Sequence, residues 1–165
     1  MSANGYIAGK DGGEEFLPDE HWKMFVGLAM EKGNFIYGKK TYEAVSTWGK
    51  EYRDDLKSIP TKVCVSKSAQ GERTDDFIFV ASPGEALEKI AENGHTEALL
   101  IGGSTINSAF AKEGLIDEII FNVEPYILGE GIPVFKPEEF GYELRLIEHK
   151  VLSAGILQSH YALLK

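Results

Sequence analysis

Cysteine is nearly absent from this chain, and Cys64 is the only one. An intrachain disulfide is therefore impossible, which fits a reducing compartment and an expected cytoplasmic location. Cys64 sits in the apolar run Lys62-Val63-Cys64-Val65-Ser66 with no base beside it, so a small core residue is expected rather than a nucleophile. Positive charge is also scarce: 17 Lys and Arg stand against 26 Asp and Glu, a net charge of −9. A surface that acidic argues against nucleic acid or an anionic membrane as the main partner. No apolar run is long enough to span a bilayer, and the first residues lack the charged-then-apolar order of a signal peptide. The four histidines, His21, His95, His149 and His160, have no metal-ligand spacing, so no metal is expected.

What remains is a 165-residue chain with 43% hydrophobic and 26% charged residues, enough for one globular domain over 1–165 with a real core. Strand and helix patterns alternate along it. Residues 3–8 read as a short strand and 18–31 as a helix, with Trp22, Phe25, Val26 and Ala29 at helical spacing and Gly33 as its stop. A strand over 34–37 and a helix over 40–48 follow, then strands over 62–66 and 77–80. Ser82 caps a helix through Asn93, with Pro83 first, Glu85 third and Gly94 beyond its end. A strand over 97–101, a helix over 104–112 closed by Gly114, and a strand over 116–123 come next. Residues 143–152 and 156–164 read as a hairpin around Ser153-Ala154-Gly155. This order predicts a mostly parallel sheet with helices on both faces and an antiparallel edge.

Three strand ends carry chemistry. In Leu100-Ile101-Gly102-Gly103-Ser104-Thr105 a buried strand runs through two glycines into a helix start, where unpaired N–H groups and a positive dipole end suit a pyrophosphate. A tight turn with Ser104 as a cap accounts for the same residues equally well. In Tyr37-Gly38-Lys39-Lys40-Thr41 two lysines open a helix, against its dipole unless an anion is present. Val65-Ser66-Lys67-Ser68 offers hydroxyls and a lysine, enough for a monophosphate. Ligands of open α/β sheets bind at this edge. Asp19 and Glu20 open the first helix, where the dipole alone favours acids; a carboxylate there could also protonate or orient a heterocycle. The glycine-rich stretch 129–135 reads as shaping a substrate pocket or a subunit contact.

Taken in order, Met1-Ser2-Ala3-Asn4-Gly5-Tyr6-Ile7-Ala8, Tyr37-Gly38-Lys39-Lys40-Thr41-Tyr42-Glu43, Leu100-Ile101-Gly102-Gly103-Ser104 and the run from Asp117 through Glu124-Pro125 to Gly131 resemble the dihydrofolate reductase-like superfamily. The closest branch is the reductase domain of riboflavin biosynthesis. The resemblance implies a three-layer α/β/α fold with a mostly parallel mixed sheet and an antiparallel C-terminal hairpin, its first strand short or missing here. It implies an NADPH-dependent oxidoreductase. Gly38, Lys39, Lys40 and Thr41 would lie on the pyrophosphate and adenosine side, Ser66 and Lys67 near the 2′-phosphate, and Gly102, Gly103, Ser104, Thr105 and Ile106 on the pyrophosphate and nicotinamide side. Asn4 would touch substrate and Glu20 would be the pocket carboxylate. The substrate would be a small heterocycle, 5-amino-6-(5-phosphoribosylamino)uracil or a related pyrimidine, and the protein a homodimer. The pyrimidine reductases usually carry aspartate where Asn4 stands and often glutamate where Ile101 stands; Ile101 is more like a dihydrofolate reductase. A dihydrofolate or pteridine reductase, a non-catalytic nucleotide-binding protein and a purely structural domain are the alternatives.

Overall fold

A computed structural model describes residues 1–68, 73–74 and 76–165, the backbone alone for 73 and 74. They form two compact units, one of Asp19–Ile106 and one of Met1–Pro18 with Asn107–Lys165.

The first unit holds the parallel sheet. Its strands are β2 (Asn34–Gly38), β3 (Thr61–Val65), β5 (Phe77–Val80) and β6 (Leu100–Gly102), all parallel, with the two-residue β4 (Arg73–Thr74) antiparallel beside β5. Spatial order is β4-β5-β3-β2-β6. Alternation along each strand sorts side chains to two faces. Phe35, Tyr37, Cys64, Phe77 and Phe79 share one core cluster with Ala29, Val45 and Leu56. Those three come from the helices α1 (Glu20–Lys32), α2 (Lys39–Ser46) and α3 (Lys50–Lys57). Ile36, Val63 and Val80 point to the other face, where α4 (Pro83–Glu92) packs on β3 and β5. Helices therefore cover both faces, as expected.

Several elements differ from their expected bounds for physical reasons. α3 was not foreseen, because its apolar stripe is only Tyr52 and Leu56. β6 begins later than expected because the buried Asn34 side chain intervenes. Its amide donates to the Lys32 and Glu97 carbonyls (2.9 and 2.8 Å) and accepts from Leu99 N–H (3.1 Å). The Asn34 side chain thus stands in for ladder bonds at the Glu97 carbonyl and the Leu99 N–H, while the Leu99 carbonyl already accepts from Ile36 N–H at 2.8 Å.

The second unit holds β7 (Glu118–Val123), β9 (Glu143–Val151) and β10 (Leu157–Leu164) in an antiparallel sheet of order β7-β10-β9. The C-terminal hairpin forms as expected, with a 3₁₀ turn at Ser153–Gly155, but it pairs with β7 and not along the edge of the parallel sheet. A β-bulge interrupts β9 between Leu146 and Glu148. β1 (Tyr6–Gly9) pairs with the short β8 (Gly131–Pro133). α5 (Ser104–Lys112) begins in the first unit and ends in the second. There Asn107 and Ser108 donate to the carbonyls of Val134 and Lys136 (2.9 and 3.1 Å), and Tyr142 donates to that of Ala111 (2.6 Å). No helix among the described residues is long and apolar enough to cross a membrane.

Candidate functional site

The C-terminal ends of β2, β3 and β6 lie at one edge of the parallel sheet, and the three candidate segments follow them directly. α2 starts with no side-chain cap on Gly38 and no acid in its first turn. Its first N–H groups are left without those usual partners. Lys39 and Lys40 stand in that turn against the dipole. The Lys39 ammonium donates to Ser68 Oγ (2.8 Å) and lies 3.7 Å from the Glu43 carboxylate one turn on. Ser68 Oγ is 3.3 Å from Ser66 Oγ, and Ser66 is buried with its N–H held by the Val80 carbonyl. The structure therefore brings Lys39 onto the Ser66–Ser68 loop. Lys40, Lys67 and Thr105 are exposed.

The two glycine turns touch each other. Thr41 Oγ1 donates to the Gly102 carbonyl at 3.2 Å. Gly102 and Gly103 have φ of 104° and 88°, a region that disfavours any side chain. A Cβ on Gly103 would also sit 2.7 Å from Thr41 Oγ1. Gly38 has ordinary extended backbone, yet a Cβ there would meet Ile106 at 3.2 Å. Its missing side chain makes room for Ile106, a packing reason the sequence did not disclose. Ser104, the first residue of α5, is buried, and its Oγ has no hydrogen-bond partner among the described residues. A buried hydroxyl without a partner is uncommon.

Asn4 and Glu20 belong to different units and each is exposed. Glu20 opens α1. Asn4 is tied to the Leu128 backbone: its amide nitrogen donates one hydrogen to the Leu128 carbonyl (2.7 Å), and its oxygen accepts from Leu128 N–H and Ser2 Oγ (3.2 and 2.9 Å). Ile101 is half-buried against the aromatic core cluster. No group of three or more His, Cys, Asp or Glu among the described residues is arranged to hold a metal. Cys64 is wholly buried, and burial, with Glu43 adding to it, pushes its thiol up to about 12.

The sequence model of the RibD C-terminal domain matches residues 1–158. The chain belongs to the RibD C-terminal domain family. Among proteins of similar sequence, the uncharacterized protein YyaP of Bacillus subtilis (strain 168) is 25% identical over 172 residues, covering 98% of this chain and 90% of YyaP. Its uncharacterized fellow YwjB, from the same strain, is 27% identical over 169 residues, covering 98% and 92%. Two solved structures share the RibD C-terminal fold. A pyrimidine reductase-like protein from Corynebacterium diphtheriae NCTC superposes with a TM-score of 0.75 at 13% identity, covering 100% of this chain and 89% of the other. A diaminohydroxyphosphoribosylaminopyrimidine deaminase/5-amino-6-(5-phosphoribosylamino)uracil reductase from Thermotoga maritima superposes with a TM-score of 0.74 at 15% identity, covering 99% of this chain and 54% of that bifunctional protein. At such identities the structural likeness is one of fold.

Proposed function

We propose that this RibD-type domain is an NADPH-dependent reductase that transfers hydride to a small heterocycle, 5-amino-6-(5-phosphoribosylamino)uracil or a related pyrimidine. One observation carries the reading: two helix starts meet at the strand ends, one with paired lysines and no acid in its first turn, the other with a buried hydroxyl that lacks a partner. Both features suit an extended anion such as a pyrophosphate. The Gly38–Thr41 and Gly102–Ile106 turns would hold the diphosphate. Lys39, with Ser66, Ser68 and Lys67, would meet the 2′-phosphate. NADPH, when bound, supplies the hydride, and the chain's own residues bind and orient the reactants. Glu20 is proposed as the carboxylate that faces the heterocycle, and Asn4 as the residue that fixes the Leu128 loop on the substrate side.

Ile101 favours a second reading, dihydrofolate or pteridine reduction, because an apolar residue packed on the core stands where pyrimidine reductases often have glutamate. Titration of the chain with NADPH, followed by cofactor fluorescence, tests the cofactor. Saturable binding is expected, and no binding at millimolar NADPH would overturn both readings. NADPH oxidation on adding the pyrimidine, but not dihydrofolate, is the expected outcome; the reverse selects the second reading. The protein is further proposed to be a cytoplasmic homodimer, a reading that the lone buried Cys64 and the apolar face of the antiparallel sheet support.

A further inference from the structure

The outer edge of β9 carries charges in an order that matches itself. β9 borders β10 on one side, and no strand among the described residues pairs with its other side. All nine of its residues are exposed. Such an edge presents a row of backbone donors and acceptors that a second strand can complete. The charges along it run Glu143, Arg145, Glu148 and Lys150, alternating in sign. Strict strand alternation would send the first two and the last two to opposite faces. The bulge prevents this. Leu146 lies opposite Tyr161 and Glu148 opposite His160, so Ile147 is skipped and all four charges share one face. Neither Glu143 nor Arg145 has an ion partner among the described residues, and Lys150 comes no nearer than 3.9 Å to Glu148.

Two copies of β9 laid antiparallel about a two-fold axis bring these charges together. With the axis between Leu146 and Ile147, Glu143 lies opposite Lys150 of the second copy, and Arg145 opposite its Glu148. Symmetry repeats both pairs, so every charge meets an opposite one. Leu144 falls opposite His149 of the second copy, which shares its face, and Leu146 opposite its Ile147. A slip of two residues in one direction sets Glu143 on Glu148, and in the other sets Arg145 on Lys150. Like charges directly opposite are destabilising, so the signs select one register. Charges and a bulge also guard a lone edge against pairing, but that purpose needs no self-matching order.

We infer that the β9 edge is the contact with a second copy of this chain, joined in that register into one six-stranded sheet of order β7-β10-β9-β9-β10-β7. The inference rests on the homodimer reading above, and adds the edge, the register and the ion pairs that set it.

The test is sedimentation of the full chain and its charge reversals over a concentration series, with each variant first shown to be folded by its thermal melt. Arg145→Glu would face Glu148 twice across the axis, and Glu148→Arg would face Arg145 twice. Each alone is expected to raise the dimer dissociation constant about ten-fold or more. Mixed one to one, the two variants are expected to associate with near-unsubstituted affinity, because each charge regains an opposite in the mixed pair. The double variant is expected to dimerise with itself. Glu143→Lys and Lys150→Glu, alone and mixed, repeat the pattern at an independent pair. Reversals that leave the dimer undisturbed, or that weaken it with no rescue on mixing, overturn the register and leave the homodimer reading standing. An unsubstituted chain that stays monomeric at tens of micromolar overturns both.

Discussion

Single residues here show how burial and neighbours set chemistry. Cys64 has no exposed surface and a thiol raised to about 12, so it is not a nucleophile at neutral pH. Native protein at pH 8 is expected to resist a thiol-specific reagent, with one equivalent reacting only after denaturation; rapid labelling of the folded chain would contradict this. Lys39 is the cation best placed for a 2′-phosphate, because its ammonium already rests on Ser68 beside Ser66. Lys39→Ala is expected to weaken NADPH by about 1.5–3 kcal/mol and NADH much less, measured by parallel titration. An equal loss for both cofactors would move Lys39 to the diphosphate. Lys62 is buried, and its ammonium donates to the Ile59 carbonyl at 2.8 Å. Burial holds its pKa below the lysine value of 10.5, with Asp76 opposing more weakly. The unfolded chain therefore binds a proton there more readily than the folded one. This site opposes folding most below its folded pKa, and stability rises as pH climbs from that value toward 10.5. The alkaline gain in melting temperature is expected to be smaller in Lys62→Met than in the unsubstituted chain, as thermal melts across that range would show.

At the scale of elements, the best legible pieces were those whose signals are local. The helix capped by Ser82 is one: Ser82 Oγ accepts from Glu85 N–H at 3.2 Å, and the Glu85 carboxylate returns to Ala81 N–H at 2.9 Å. Ser82→Ala is expected to cost about 1 kcal/mol of stability by denaturant unfolding, with no change in cofactor affinity. The glycine turns were also readable, since strand, glycine and helix start follow within a few residues. What escaped reading was set by tertiary contact. Thr41 meets Gly102 across 61 residues of chain, and whether Ser104 finds a partner depends on everything packed round it. Asn34 reshapes the start of β6 from another strand. α3 and β8 are too short or too sparsely apolar to announce themselves.

Across the whole molecule, the apolar surface is distributed unevenly. Apart from Met30, the most exposed large apolar side chains among the described residues all lie in the unit that carries the antiparallel sheet. Leu144, Leu146, Val151 and Leu157 share one face of that sheet with Tyr161 and Leu163. The charges of β9, Glu143, Arg145, Glu148 and Lys150, register with Leu164, Ala162, His160 and Gln158 on the opposite face, so β9 brings no carboxylate to the apolar one. Two copies meeting there avoid the repulsion they would meet elsewhere. The chain is expected to sediment as a dimer, and Leu146→Glu with Val151→Glu as a folded monomer; a monomeric unsubstituted chain at tens of micromolar would refute it. The Asn4 clamp has a consequence for how the molecule ages. Asn4 is followed by Gly5, whose peptide nitrogen can attack the side-chain amide, expel ammonia and leave aspartate or isoaspartate after water reopens the ring. Folding ties down both reactants, the amide on Leu128 and the Gly5 N–H on the Ser2 carbonyl at 3.0 Å. Folding thus acts as a chemical preservative at this bond, and deamidation of the peptide carrying Asn4, followed by mass spectrometry, would serve as a clock for the time each molecule has spent unfolded.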